Sequence, residues 1–120
     1  LLHLGMLCLR EKDAAAAREW FEKALALQPD APGTLAALGL AQAQLNDEAG
    51  AYGSWSRATR LDPSQYDALF NLALLSGRMG KGEEARKALE RFVETAPPDR
   101  YAGQIAQARR LLKSLGAGKG

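Results

Sequence analysis

The sequence predicts an all-α protein built as a stack of helix hairpins, and three observations predict it. The first is a repeat. Residues 35–63 set Leu35, Leu38, Gly39, Gln42, Ala51, Trp55, Ala58 and Pro63 in order. A shift of 34 residues back finds Leu1, Leu4, Gly5, Cys8, Ala17, Phe21, Ala24 and Pro29. The same shift forward finds Leu69, Leu72, Ala73, Ser76, Ala85, Leu89, Phe92 and Pro97. Units of this length stack because none buries its apolar face alone. The second observation is composition: alanine and leucine dominate and β-branched residues are few, which favours helix over strand. The third is punctuation. Pro29, Pro63 and Pro97 each lack an amide donor and stop a helix at the same register.

Each helix follows from its apolar spacing and its flanks. Leu1, Leu4, Leu7 and Cys8 predict a helix over 1–10, and Glu11, Lys12 and Asp13 a polar turn. Asp13 is a natural N-cap for a second helix over 14–27, with Ala17, Phe21, Ala24 and Leu25 on one face. Asp30 is expected to cap the third helix, to about 45, with Pro32 in its first turn. Asn46 and Asp47 turn the chain into a fourth helix over 48–61. Ser64 and Asp67 have the spacing of a capping box ahead of a fifth helix ending near 79. Gly80, Lys81 and Gly82 open a sixth over 83–95, and Asp99 is expected to cap a seventh over 100–115. That last helix carries the stripe Tyr101, Ile105, Ala108, Leu112 and Leu115. Gly5, Gly39 and Ala73 hold equivalent places, where lack of bulk lets paired helices close around Phe21, Trp55 and Leu89.

These residues resemble the tetratricopeptide repeat family, whose pattern over about 34 residues is a large residue, Leu-Gly, an aromatic, Ala-x-x-x-aromatic and a closing proline. Residues 1–98 carry the resemblance, with one departure: Phe92 stands where the family has a small residue. The resemblance implies a right-handed α-solenoid of three repeats and a capping helix. The expected divisions are repeat one at 1–29 (truncated at its start), repeat two at 30–63 and repeat three at 64–98. A capping helix follows at 99–115 and a disordered tail at 116–120. An array needs such a final helix, since its last repeat otherwise leaves an apolar face in water. The chain starts with Leu1 in mid-pattern, so it is expected to be a piece of a longer protein.

Composition narrows the function classes. The 120 residues suit one domain, 47% hydrophobic, with a formal charge of +2 that gives no polyelectrolyte signature. No apolar run approaches the roughly 20 residues of a membrane span, so membrane insertion is not expected. The single cysteine leaves the compartment open, cytoplasmic or periplasmic alike. Abundant alanine, with arginine above lysine, suggests a bacterial source.

Catalytic and cofactor motifs do not assemble. The run Gly77-Arg78-Met79-Gly80-Lys81-Gly82 has the look of a phosphate cradle, but a predicted helix precedes it and Glu83 follows the place of the required hydroxyl residue. Gly118-Lys119-Gly120 lacks that residue too. His3 and Cys8 are five apart on one helix and do not easily face one metal, and there is no second histidine for a zinc site. A catalytic pair would need the two side chains within hydrogen-bond reach, whereas Cys8 falls at a repeat core position and is expected to be an inert packed thiol. Asp47-Glu48 and Glu83-Glu84 begin helices, where negative charge suits the helix dipole. Arg109, Arg110 and Lys113 form a small basic patch without interleaved aromatics, so nucleic acid is not expected as a partner. No enzyme, metal or cofactor is expected.

The family lines a concave groove with its first helices, at positions beside the core-facing ones. Carried over, the groove is Leu2, His3, Met6 and Leu9 from repeat one, Ala36, Ala37, Leu40 and Gln44 with Gly33 and Ala43 from repeat two, and Phe70, Asn71, Leu74 and Arg78 from repeat three. One subgroup clamps C-terminal carboxylates with Asn, Lys and Arg. Asn71 sits where that asparagine can occur, but His3 and Ala37 hold the equivalent places and no Lys-Arg pair follows. An apolar groove suits an amphipathic helix or an extended peptide instead. The expected function is therefore a non-catalytic scaffold for a protein or peptide ligand. Two alternatives stand beside it: an assembly module that self-associates or continues a longer array through Leu1, Leu4 and Leu7, and an accessory domain of a larger enzyme.

Overall fold

The structure, a computed structural model, describes residues 1–119, with side chains described through Leu115. Among these residues every element is helical: α1 (Leu2–Arg10), α2 (Ala14–Leu27), α3 (Pro32–Gln44), α4 (Glu48–Leu61), α5 (Tyr66–Arg78), α6 (Gly82–Thr95) and α7 (Pro98–Lys119). Two compact units divide them, Leu1–Ala68 and the residues from Leu69 on.

The turn inside each hairpin is the same turn three times. The amides of Asp13, Asp47 and Lys81 donate to the carbonyls of Cys8, Gln42 and Ser76, each at 2.8 Å. The residue before each donor is left-handed, with φ of 64° at Lys12, 63° at Asn46 and 78° at Gly80. This is the C-cap that closes a helix by satisfying its last carbonyls. The donor residue then starts the next helix. Asp13 Oδ1 accepts from the amide of Ala16 at 3.1 Å, and Asp47 Oδ1 from that of Gly50 at 3.0 Å. Both are the N-caps that the sequence predicts.

Two other caps differ from expectation. Asp30 does not cap α3; Ala31 holds the N-cap position without a side-chain bond, and Asp30 Oδ1 accepts from Arg57 Nη2 at 2.5 Å. Because α5 begins at Tyr66, Ser64 stands outside it and turns back on Asp62. Its amide and hydroxyl both donate to Asp62 Oδ1, at 3.0 and 2.6 Å.

In the first unit α1 packs on α2, α2 on α3 and α3 on α4, and α1 touches α3. The close approaches fall at the two glycines. A Cβ on Gly5 would lie 2.6 Å from Phe21 Cδ1, and one on Gly39 2.5 Å from Trp55 Cδ1. No side chain fits in either place. Phe21 and Ala17 of α2 bury Ala37, Leu38 and Ala41 of α3, with Cys8, Leu9 and Leu25 packed around them. Cys8 is thus a packed, half-buried thiol. Trp55 fills the α3–α4 hairpin, and its Nε1 donates to the Ala36 carbonyl at 3.1 Å. Ser54 Oγ donates to Gln42 Oε1 at 2.6 Å across the same seam.

In the second unit α6 packs on α7, and the seam is aromatic. Phe92, fully buried, meets the Phe70 ring at 5.1 Å between centroids and takes Tyr101 edge-on at 5.7 Å. Opposed edges and faces of this kind add to the burial of the rings themselves. The family departure at Phe92 is therefore a packing centre. The amides of Arg100 and Tyr101 donate to the Pro97 carbonyl, at 3.2 and 3.0 Å, so the chain turns at Pro97 and Asp99 lies inside the first turn. At Tyr101 the backbone leaves helical values (φ −121°, ψ 25°), a kink that brings the ring to Phe92. α7 runs beyond Leu115 to Lys119. The expected tail at 116–120 falls where side chains, and at Gly120 the backbone as well, lie outside the described residues.

Candidate functional site

The predicted groove residues separate into an exposed set and a buried one. On α1, Leu2, Met6 and Leu9 recur at helical spacing and share a face. Leu2 and Met6 are exposed, while Leu9 is half-buried against the core. On α3, Ala36, Leu40 and Gln44 share a face in the same way, with Leu40 and Gln44 exposed and Ala36 half-buried. Since α1 touches α3, the first unit carries two adjacent apolar strips. His3 is exposed beside them.

Ala37 belongs to the buried set. It lies under α2 in the core cluster and offers little surface to a ligand. On α5 in the second unit, Phe70 is turned inward onto Phe92 and is buried. Asn71 and Leu74 are half-buried there, and Arg78 is exposed. Both buried residues were placed by register alone. Register locates a residue on a helix, but a neighbouring helix or ring decides whether it reaches solvent.

A cavity of about 420 Å³ in the first unit, lined by Leu1, Leu2, Ala24, Leu27, Gln28 and Thr34, lies outside the predicted groove except at Leu2. The sequence did carry a signal for it: Ala24 and Phe92 occupy the same place in their repeats but differ greatly in volume.

Asp62 and Arg86 are shifted by structural partners. Hydrogen bonds from Ser64, and then from Gln65, hold the Asp62 carboxyl below its usual range. Arg86 donates to Glu83 and, at 3.2 Å, to Glu90 along α6, and these bonds hold its proton more tightly. Glu83 thus forms an ion pair on a solvated face. Among the described residues no three of His, Cys, Asp and Glu gather as a metal site, and no helix is long and apolar enough to cross a membrane.

Repeated hairpins with a glycine under an aromatic and a proline after each second helix define a class of helical repeat. Two sequence profiles, both described as tetratricopeptide repeat, match residues 1–31 and 67–98, together just over half the chain. The protein belongs to the tetratricopeptide repeat family. No curated protein matches it in sequence.

Solved structures share its fold. The type III secretion chaperone SycD of Yersinia enterocolitica, in complex with a peptide of the translocator YopD, superposes with a TM-score of 0.90 at 17% identity. That likeness covers 99% of this chain and 92% of the other. PcrH, in complex with the chaperone binding region of PopD, gives 0.86 at 20% identity, covering 98% and 90%. The first tetratricopeptide domain of Spaghetti (RPAP3), bound to the HSP90 peptide SRMEEVD, gives 0.82 at 20%, covering 98% and 88%. At such identities the likeness concerns the fold alone.

Proposed function

We propose that the protein is a non-catalytic scaffold that holds a peptide or an amphipathic helix against the exposed faces of α1 and α3. One observation carries the reading. Leu2, Met6 and Leu40 are large apolar side chains left exposed on adjacent helices of one unit. Contiguous apolar surface of this kind usually marks an interaction site. SycD, PcrH and the RPAP3 domain are each found with a peptide, which supports the same use of the shared fold. Anchors at helical spacing suit a ligand that presents apolar side chains every three or four residues. Asn71, Leu74 and Arg78 are proposed as lining on α5 of the second unit, taken by itself. The repeat divisions at 29, 63 and 98 belong to the same proposal.

The test is selection from a displayed peptide library, followed by calorimetry on the winners. Selected peptides are expected to bind with Kd near the micromolar range, and Leu40→Glu, checked as folded by circular dichroism, to weaken them about tenfold or more. Retention of the same affinity by that variant would place the ligand elsewhere.

A second reading rests on its own observation. Leu1 and Leu4 are 43% and 44% exposed, whereas Leu35 and Leu38, their equivalents one repeat later, are 3% and 7% exposed. The leucine edge of α1 is thus built like a face that α2 covers on α3. An assembly role through that edge, with a second copy or further repeats, follows from this difference.

A further inference from the structure

The second unit holds a surplus of positive charge. Residues from Leu69 on include ten lysines and arginines against five acidic residues, whereas those up to Ala68 include six against nine. No acidic residue of α7 follows Asp99. Beyond the kink at Tyr101, Ala102, Ala106, Arg109 and Lys113 recur at helical spacing and share one face. Arg110 stands beside them, and all five are exposed. Arg57 is paired with Asp30, and Arg86 with Glu83 and Glu90. Among the described residues no carboxylate pairs with Arg109, Arg110 or Lys113. The alanine end of the same face is hollow. A cavity of about 210 Å³ opens there between α6 and α7, lined by Val93, Pro98, Ala102, Ile105, Ala106 and Arg109.

From this hollow beside unpaired cations, we infer that the α6–α7 face docks an acidic helix of a partner protein. One apolar side chain of that helix enters the cavity, and its carboxylates meet Arg109 and Lys113. Size and charge select this occupant. The cavity is smaller than the about 300–1,000 Å³ typical of small-molecule sites, and suits a side chain. Ala102 and Ala106 lack bulk, so a helix axis can come close. Unpaired guanidinium and ammonium groups bond carboxylates strongly. A membrane surface is a poor fit, because an interfacial helix needs large projecting apolar side chains, and here two alanines border a recess. Single-stranded nucleic acid stacks on exposed rings, whereas Phe70, Phe92 and Tyr101 are buried. With a rise of 1.5 Å per residue, the middle of Ala102–Ala106 lies about 10 Å along α7 from that of Arg109–Lys113. The partner helix therefore centres its carboxylates about seven residues from its apolar anchor.

The inference stands on α6 and α7 alone and needs nothing from the faces of α1 and α3. Its probe is an alanine-rich helical peptide with one leucine and with glutamates four, seven and eleven residues further on, all on one face. One control peptide replaces the glutamates by lysines, and another replaces the leucine by alanine. Each is titrated into the isotope-labelled full chain while amide shifts are followed. The glutamate peptide is expected to give saturable shifts confined to Val93 and residues 98–113. The lysine peptide should give none, and the peptide without leucine should bind about fivefold more weakly. The double variant Arg109→Glu, Lys113→Glu changes exposed side chains only, so the fold is kept. It should lose about tenfold or more in affinity for the glutamate peptide and gain the lysine peptide. A misfolded chain would not gain affinity for the opposite charge.

Shifts that are absent, scattered, equal for the glutamate and lysine peptides, or indifferent to the leucine would overturn the inference. So would a double variant that keeps the glutamate peptide. Two competitors close the test: vesicles of phosphatidylglycerol and single-stranded oligothymidylate. Displacement of the peptide by either at a lower concentration than unlabelled peptide needs would assign the face to that ligand instead. Leu40→Glu should leave all the glutamate-peptide shifts unchanged, which keeps this face distinct from the one proposed on α1 and α3.

Discussion

Lys12 is the residue whose local conformation fits it least. Its φ of 64° repeats at Asn46 and Gly80, where the same hairpin turn is made by residue types suited to it. An L-residue with a Cβ meets the following carbonyl in that conformation, whereas glycine does not and asparagine tolerates it. Lys12→Gly should therefore raise the unfolding free energy by about 0.5–1 kcal/mol, part of the relief being offset by a more flexible unfolded chain. Denaturant melts would show it as a higher midpoint at unchanged slope. Gly80→Ala, the reverse change in the third hairpin, should lower the midpoint by a similar amount. Asp62 gives a second prediction at this scale. Its carboxyl is held below the ordinary 3.8 because Ser64 and Gln65 bond to the charged form. A depressed folded value means stability that is present above pH 3.8 and is lost as pH falls through the folded value. Carbon-detected titration should place the Asp62 midpoint below 3.8, and Asp62→Asn should remove that part of the acid dependence.

At the scale of the element, each hairpin is decided by the pair its two helices close around. Trp55 has its ring against Gly39 and its N–H on the Ala36 carbonyl, so Trp55→Ala loses packing and a hydrogen bond together. The expected loss is about 3–5 kcal/mol, read by thermal melting; a change of only a degree or two would show that the indole is not the hairpin's anchor. Gly39→Ala attacks the same pair from the other side, and should cost about 1–3 kcal/mol by forcing the ring outward. These pairs were legible in the sequence because size alternates at fixed spacing: glycine faces a ring twice, and Ala73 and Leu89, in the same register, are both buried. The turns and two caps were legible for the same reason, since Asp13 and Asp47 stand in one register. What escaped depended on distance rather than period. Asp30 reads as a cap, yet Arg57 lies 27 residues away in sequence and takes its carboxylate. Phe70 reads as groove lining, yet Phe92 on the next helix draws it inward. A single-residue pattern cannot weigh a partner that only folding brings near.

For the whole molecule, the question is which exposed apolar surface is used, because α1 presents two. Leu2 and Met6 face one way, beside Leu40 of α3, while Leu4 and Leu7 lie on the side whose α3 equivalents, Leu38 and Ala41, are covered by α2. Charge placed on one side should therefore leave the other intact. The double variant Leu4→Glu, Leu7→Glu removes no buried contact, since both side chains are exposed, and should melt within about 1 kcal/mol of the parent. If the α1–α3 faces hold the ligand, that variant keeps the affinity of a selected peptide while Leu40→Glu loses about tenfold. If the edge is the working surface, the order reverses, and sedimentation of the parent shows a concentration-dependent oligomer that the double variant lacks. The expected result is the first. A bound peptide can gain from the apolar strips of α1 and α3 at once, which favours those faces.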